Sequence, residues 1–175
     1  LTAVLSIDSR MQLLAERILA GNGRPGAFVA VDSLTGDILA MASHPTFDLG
    51  QFIPSISGEE LMSIQKTRGN PFFPRAHGGR YPPGSIFKPI VALGAMRSGN
   101  VSRYTRYFCK PSLRIAGRTF HNWNRSEYGS YNVQQALMRS SNTWFFQAAL
   151  SAKGDPLIQT AKEFGLGEKP VLPLD

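Results

Sequence analysis

The sequence predicts a mixed α/β fold of the α+β type, organised as one domain over residues 1–175. Two observations predict it: apolar residues recur at helical spacing in several segments, and two extended apolar runs near the start are joined by a short turn. A chain of this length buries about two thirds of the surface that it exposes when unfolded. Because no linker interrupts the pattern, we expect a single compact domain.

The first predicted elements are a helix and a β-hairpin. Apolar residues form one stripe over residues 11–20, with Asp8 or Ser9 available as N-cap and Gly21 and Gly23 as stops. The hairpin pairs residues 27–32 with residues 37–42 through a turn at 33–36. Gly36 lies in this turn, where a positive φ is expected.

The next segment, residues 43–83, is rich in proline and glycine and predicts a long irregular excursion with one short helix at 58–66. Loops of this length in compact domains are often functional. Downstream, the pattern predicts an apolar helix over 86–97 and weak strands within 104–120. Further helices are expected at 133–138, 143–152 and 157–164.

Composition excludes several classes of protein. No apolar run approaches the ~20 residues of a membrane span, and the single cysteine, Cys109, excludes a disulfide framework. The balance of 19 basic against 12 acidic residues gives a net charge of +7, which suits an anionic partner. Because the start resembles no signal peptide, we expect any export signal or membrane anchor to lie upstream of the chain.

Ser85 and Lys88 form the first candidate site. Three residues apart at a predicted helix start, they share one face, where the lysine amine can approach the serine hydroxyl. A serine needs an adjacent base to act as a nucleophile, and a desolvated lysine can serve. The alternative is an N-cap serine beside an unrelated lysine.

The Ser-x-x-Lys spacing is not specific by itself, because Ser63 and Lys66 repeat it. Context favours Ser85: it follows Pro82-Pro83-Gly84, a rigid entry, and precedes an apolar stretch that we expect to be buried. Ser63 is expected on a polar, exposed turn.

Ser140 and Asn142 form the second candidate site. They interrupt a helical region between two apolar segments, so a short loop presents a hydroxyl and an amide. A plain loop serine is the alternative. The same Ser-x-Asn spacing at Ser98 and Asn100 is better explained as the end of a helix.

Other residues invite different interpretations. His44, His77, His121 and Cys109 lack tight metal-ligand spacing, so no metal or cofactor is predicted. Aromatic and arginine residues near position 125 could stack on bases or sugars, but packing is favoured and no nucleic-acid-binding module is present. These residues are Trp123, Tyr128, Tyr131, Arg118 and Arg125.

Ser-x-x-Lys followed some 50 residues later by Ser-x-Asn resembles the penicillin-recognising serine enzymes. Over nearly its whole length the chain resembles the transpeptidase domain of class B penicillin-binding proteins, and Tyr81 to Lys88 resembles the elongation-type branch, penicillin-binding protein 2-like. The resemblance is carried by Leu5-Ser6-Ile7-Asp8, Met11-Gln12, Ala30-Val31-Asp32, residues 35–43, 45–48, 75–76, 81–89, Phe120-His121-Asn122-Trp123 and residues 140–145.

The resemblance implies a fold, penicillin-binding-protein transpeptidase or serine β-lactamase-like, and a reaction. Ser85 would attack a stem peptide ending in D-alanyl-D-alanine and pass the acyl group to an amine on a neighbouring strand. Lys88 would be the base, Ser140 the relay to the leaving amine, and Asn142 a contact to the substrate amide. The backbone N–H of Ser85 would be one oxyanion donor, and β-lactams would acylate Ser85.

The chain departs from the family in one respect that matters. The third motif, Lys-Thr/Ser-Gly, does not occur in it; the nearest match is Lys66-Thr67-Arg68. We therefore expect residues 1–175 to be the N-terminal portion of a single transpeptidase domain, without its C-terminal strands and inactive alone. Smaller departures are Pro74, where the family often carries asparagine, and Ser141-Asn142, where elongation-type relatives often carry Cys-Asp.

The resemblance also implies partners and a location. They are peptidoglycan stem peptide and β-lactams, a glycosyltransferase, and elongation-complex membrane proteins, at the extracytoplasmic face of the bacterial inner membrane. Two alternatives remain: a serine β-lactamase, for which the sequence offers no clear water-activating carboxylate, and a β-lactam sensor or silent scaffold module.

Overall fold

A computed structural model describes residues 4–168 of the chain. The chain divides between Tyr81 and Pro82 into two compact units. The fold is mixed α/β, as predicted. In the described part of the chain, no helix combines the length and apolar character that crossing a bilayer requires.

The first unit begins with helix α1 (Ser9–Asn22). Asp8 is its N-cap, and the carboxylate accepts hydrogen bonds from the backbone N–H groups of Arg10 and Met11. The helix ends at Gly23, whose φ of 64° is left-handed. The predicted helix and its cap are confirmed.

Strands β1 (Gly26–Val31) and β2 (Ile38–His44) form the predicted antiparallel hairpin. The Asp32 carboxylate stabilises the turn by accepting from two backbone N–H groups, and Gly36 has the positive φ that was expected, 81°. Helix α1 is tied to β2 because the Gln12 amide both donates to and accepts from the backbone of Met41.

The rest of the first unit is irregular, as predicted, apart from three short elements. Helix α2 (Gly58–Lys66) matches the predicted bounds and begins with a capping box of Ser57 and Glu60. The other two are a 3₁₀ helix, Leu49–Phe52, and helix α3 (Arg75–Gly78).

The second unit follows the predicted order of helices, with short strands between them. Strands β3 and β6 pair antiparallel, as do β4 and β5. The weak strand pattern over 104–120 is confirmed, whereas β6 was not predicted, because three residues are too few to show a period. The elements are α4 (Lys88–Arg97), β3 (Tyr107–Cys109), β4 (Ser112–Ile115), β5 (Arg118–His121), β6 (Gly129–Tyr131), α5 (Val133–Arg139), α6 (Asn142–Ala152) and α7 (Asp155–Glu163).

Trp144 is the centre of the second unit's core and is fully buried. Its ring packs edge-on against Tyr107 and Phe145, and its indole N–H donates to the Tyr131 carbonyl at 2.8 Å. Helices α4 and α7 approach closely at Gly94, where a Cβ would lie 2.9 Å from the Cα of Leu157. This core fixes α4 against α6, the two helices that carry the candidate site.

Candidate active site

Three of the four predicted site residues form one continuous chain of hydrogen bonds. The Lys88 Nζ donates to the Ser140 carbonyl at 2.6 Å and to the Ser140 Oγ at 2.8 Å. The Ser140 Oγ lies 2.9 Å from the Ser85 Oγ. Ser140 therefore contacts both Lys88, 52 residues earlier in the sequence, and Ser85, 55 residues earlier.

Ser85 lies on a tight turn that places it in solvent and Lys88 in the interior. Residues Gly84–Phe87 form a 3₁₀ helix, and α4 begins directly after it at Lys88. Gly84 has a φ of 60°, which glycine adopts at little cost. The expectation that the whole stretch after Ser85 is buried is wrong for Ile86, which is 79% exposed because the turn directs it outward.

Lys88 is only 8% exposed, and its Nζ lies 5.6 Å from the centroid of the Phe145 ring. Burial lowers the pKa of the Lys88 ammonium, and the negative charge of Glu127 acts in the opposite direction. A lysine with a lowered pKa is neutral more often near neutral pH. It can then accept a proton.

Ser140 owes its position to an unusual backbone conformation. It is the C-cap of α5, with φ 53° and ψ 41°, in the left-handed region that residues other than glycine seldom adopt. Its N–H still bonds back to the last turn of α5, so the chain reverses there and α6 begins two residues later. The turn directs the Ser140 hydroxyl toward both Lys88 and Ser85.

Asn142 is the first residue of α6 and is half-buried. Its Nδ2 donates to the carbonyl of His121 at 2.8 Å. This bond fixes the orientation of the amide, and the side-chain oxygen makes no hydrogen bond to the described residues. Asn142 thus stands beside the Lys88–Ser140–Ser85 chain without joining it.

The two residues after His121 hold the Ser140 loop from both sides, a role that sequence reasoning missed. Asn122 is buried; its amide oxygen accepts from the Thr143 N–H at 3.0 Å, and its nitrogen donates to Lys110 O and Thr143 Oγ1. The Trp123 indole donates to Arg139 O at 3.0 Å.

Packing was favoured for Trp123 and Tyr128, yet both rings are largely exposed. The resemblance of Phe120-His121-Asn122-Trp123 was the one available signal.

Glu127 is a second residue that sequence reasoning missed. It is 4% exposed, and neither carboxylate oxygen has a hydrogen-bond partner among the described residues. Burial lowers the pKa of Lys88 and raises that of Cys109; the charge of Glu127 opposes the first effect and adds to the second. Nothing in the sequence signals this burial, because a glutamate between Ser126 and Tyr128 has the pattern of a surface loop.

The competing patterns lie elsewhere. Ser63 is exposed in α2 of the first unit, on a helix rather than the expected turn. Ser98 caps the end of α4, and Gly99 has a φ of 76°, which confirms the helix-end interpretation. Within residues 4–168, no three His, Cys, Asp or Glu side chains are grouped so that they could hold a metal ion.

Known proteins are similar to this chain over most of its length. The sequence profile of the family described as penicillin binding protein transpeptidase domain matches residues 26–175. A relative from Acinetobacter baumannii, peptidoglycan D,D-transpeptidase MrdA, is 34% identical over 167 residues, which are 94% of this chain and 25% of the relative. The chain spans about a quarter of the length of the curated relatives that it matches.

Solved structures agree in fold. Pseudomonas aeruginosa PBP2 in complex with WCK 5153 matches with a TM-score of 0.86 and 38% identity, over 97% of this chain and 38% of that one. Helicobacter pylori PBP2, in a complex with MreC, matches with a TM-score of 0.84 and 26% identity, over 93% and 30%. The predicted fold and the predicted penicillin-binding protein 2-like branch are thereby confirmed. The chain belongs to the penicillin-binding protein transpeptidase domain family.

Proposed function

We propose that the protein is a peptidoglycan D,D-transpeptidase that acts through an acyl-enzyme on Ser85. The observation that carries the proposal is the Lys88–Ser140–Ser85 chain, in which an exposed serine hydroxyl is linked to a buried lysine amine. The name of the Acinetobacter baumannii relative supports the same reaction.

Acylation follows from the direction of two hydrogen bonds. When Lys88 is protonated, donation runs from Lys88 to Ser140 and from Ser140 to Ser85. Once Lys88 loses one proton, both bonds can reverse, so that Ser85 donates to Ser140 and Ser140 donates to the amine. The Ser85 Oγ then attacks the carbonyl of the penultimate D-alanine as its proton passes to Lys88.

In the second half of acylation, the proton moves back from Lys88 through Ser140 to the leaving group. Ser140 returns a proton to the amine of the leaving D-alanine, and Asn142 contacts the substrate amide. The N–H of Ser85, in the first turn of the 3₁₀ helix, is one donor to the oxyanion. An amine on a neighbouring strand then takes the acyl group, which cross-links the polymer. β-Lactams acylate Ser85 because they resemble the donor peptide.

The same proposal covers the chain's place in a larger protein. We propose that residues 1–175 are the N-terminal portion of a single transpeptidase domain that is anchored upstream at the extracytoplasmic face of the membrane. The partners proposed are a glycosyltransferase and membrane proteins of an elongation complex. Support comes from the Helicobacter pylori PBP2 that forms a complex with MreC.

The proposal can be tested with the complete gene product that contains these residues. Release of D-alanine from a stem peptide ending in D-alanyl-D-alanine is measured in the wild type, in Ser85→Ala, and in Ser63→Ala as the matched control. We expect loss of release in Ser85→Ala alone. Release that survives Ser85→Ala contradicts the proposal. Rapid turnover of penicillin with no peptide release favours the β-lactamase alternative.

A further inference from the structure

Glu127 and Lys88 are the two buried side chains in the described residues that carry opposite charges. Both oxygens of the Glu127 carboxylate are closed to solvent and make neither a hydrogen bond nor an ion pair with another described residue. Such a group is costly to ionise unless an opposite charge lies nearby. A buried carboxylate without a partner among the described residues therefore calls for an explanation.

The fold brings Glu127 close to the loop that carries Ser140, the hydrogen-bond partner of Lys88. Glu127 lies two residues before Gly129, which pairs with Cys109 between β6 and β3. Cys109 belongs to the same buried cluster as Phe145, whose ring lies beneath the Lys88 Nζ. Glu127 also lines a cavity together with Arg139, the residue directly before Ser140, to which the Lys88 Nζ donates.

The electrostatics agree with this placement. The charge of Glu127 raises the pKa of Lys88 and so offsets part of the lowering that burial causes. The other titratable groups nearby are Cys109, whose pKa is raised by burial, and three residues that line a neighbouring cavity of about 600 Å³ with Glu127. Those three are Tyr128, Tyr131 and Arg139, whose guanidinium lies 5.0 Å from the Tyr131 ring centroid.

We propose that Glu127 is a positioning residue for acylation, whose carboxylate stabilises the ammonium that forms when Lys88 takes the proton of Ser85. The inference rests on the proposed function. In this step the Ser85 O–H bond breaks, the Oγ–carbon bond forms, the carbonyl electron pair moves to oxygen, and the proton stays on Lys88. Glu127 neither gains nor loses a proton. Its fixed charge acts in a water-excluded site, where charges interact more strongly than in water.

A role as water-activating base fits the geometry less well. Such a base must contact the attacking water, and both Glu127 oxygens are closed to solvent. The same charge also has a cost: it keeps Lys88 protonated to higher pH in the resting enzyme. Glu127 therefore lowers the fraction of Lys88 that is neutral in the resting enzyme, but it makes the neutral amine a stronger base.

This exchange gives a signature that a merely structural residue lacks. In the complete gene product, the rate of acylation by a fluorescent penicillin is measured against pH in the wild type and in Glu127→Gln. We expect the rising limb of the profile to move to lower pH by about one unit, the low end of what a nearby opposite charge causes. We expect the high-pH plateau to fall about threefold, because a less basic lysine accepts a proton less well.

Glu163→Gln is the matched control, because it removes an equal charge from a half-exposed glutamate that pairs with Arg97. Its profile should coincide with that of the wild type. An unmoved limb in Glu127→Gln overturns the inference. If the label is also lost more slowly in that variant, Glu127 acts on the attacking water instead. A wild type that takes no label overturns the proposed function as well.

A second measurement covers the case in which Glu127→Gln does not fold. The inference requires an ionised Glu127 wherever acylation proceeds, which carbon-13 NMR of labelled glutamate carboxyl groups can follow in the wild type. The Glu127 signal is assigned by its loss in Glu127→Asp, which keeps the charge and should keep the wild-type limb. A carboxyl group that stays protonated across the active pH range overturns the inference.

Discussion

In the proposed mechanism, the protonation state of Lys88 determines whether Ser85 can react. The ammonium is buried beside the Phe145 ring and donates both of its hydrogen bonds to Ser140. Ser140 in turn contacts Ser85. Loss of one proton from the lysine therefore allows both hydrogen bonds to reverse their donor–acceptor direction. In this mechanism, a buried amine controls the reactivity of an exposed hydroxyl.

Removing the amine should abolish this control. In the complete gene product, we expect Lys88→Ala to lower the rate of labelling by fluorescent penicillin at least about a hundredfold, the usual contribution of a general base. Circular dichroism should remain unchanged. Lys66→Ala, in the competing Ser-x-x-Lys pair, is the control and should label normally. Labelling of Lys88→Ala at the wild-type rate contradicts the assignment of the base.

The pH dependence follows from the same group. Because burial lowers the pKa of Lys88, the neutral base should become available below the ordinary lysine value of 10.5. The acylation rate should therefore rise with pH and level off before 10.5. A limb that still rises through that pH would mean that Lys88 is not the group that titrates.

The loop between α5 and α6 depends on groups that lie far from it in sequence. Asn122 ties the start of α6 to Lys110, and Trp123 holds the last carbonyl of α5. The left-handed Ser140 lies between these two attachments. The position of the Ser140 hydroxyl is thus set by the segment after β5 and not by the helices alone.

Loss of the Asn122 amide should loosen this loop. Asn122→Ala leaves the buried Thr143 N–H without its partner, at about 1–3 kcal/mol, and leaves the Lys110 carbonyl with only its bond from the Thr143 hydroxyl. We expect the melting temperature of the complete gene product to fall by about 5 °C or more, and acylation to slow. Asn124→Ala, at an exposed turn, is the control. Equal effects of the two variants would contradict the role given to Asn122.

Local patterns predict local structure, which is why α1, the hairpin and α2 could be placed closely from sequence. The short motifs also predicted Ser85, Lys88, Ser140 and Asn142 as site residues, because each pair is close in sequence, and the structure joins the first three by hydrogen bonds. Asn122 and Glu127 could not be found in this way. Asn122 acts through hydrogen bonds to residues 12 and 21 positions away, and the charge of Glu127 acts on Lys88, 39 positions away. No periodicity records such relations.

For the molecule as a whole, the open question is what residues 1–175 can do alone. The chain contains no Lys-Thr/Ser-Gly motif, and the family resemblance implies that this motif would supply a second oxyanion donor and a cation for the substrate carboxylate. Loss of one oxyanion donor typically costs about 10²- to 10³-fold in rate. We expect the isolated 175-residue chain to label with penicillin poorly or not at all, as seen by gel fluorescence. Robust labelling would refute this expectation.

The central claim is that Ser85 is the nucleophile. Its most direct test is to acylate the complete gene product with penicillin and to locate the adduct by mass spectrometry of its peptides. We predict one adduct, on Ser85, which disappears in Ser85→Ala and persists in Ser63→Ala. An adduct on any other residue, or one that survives Ser85→Ala, would contradict the account.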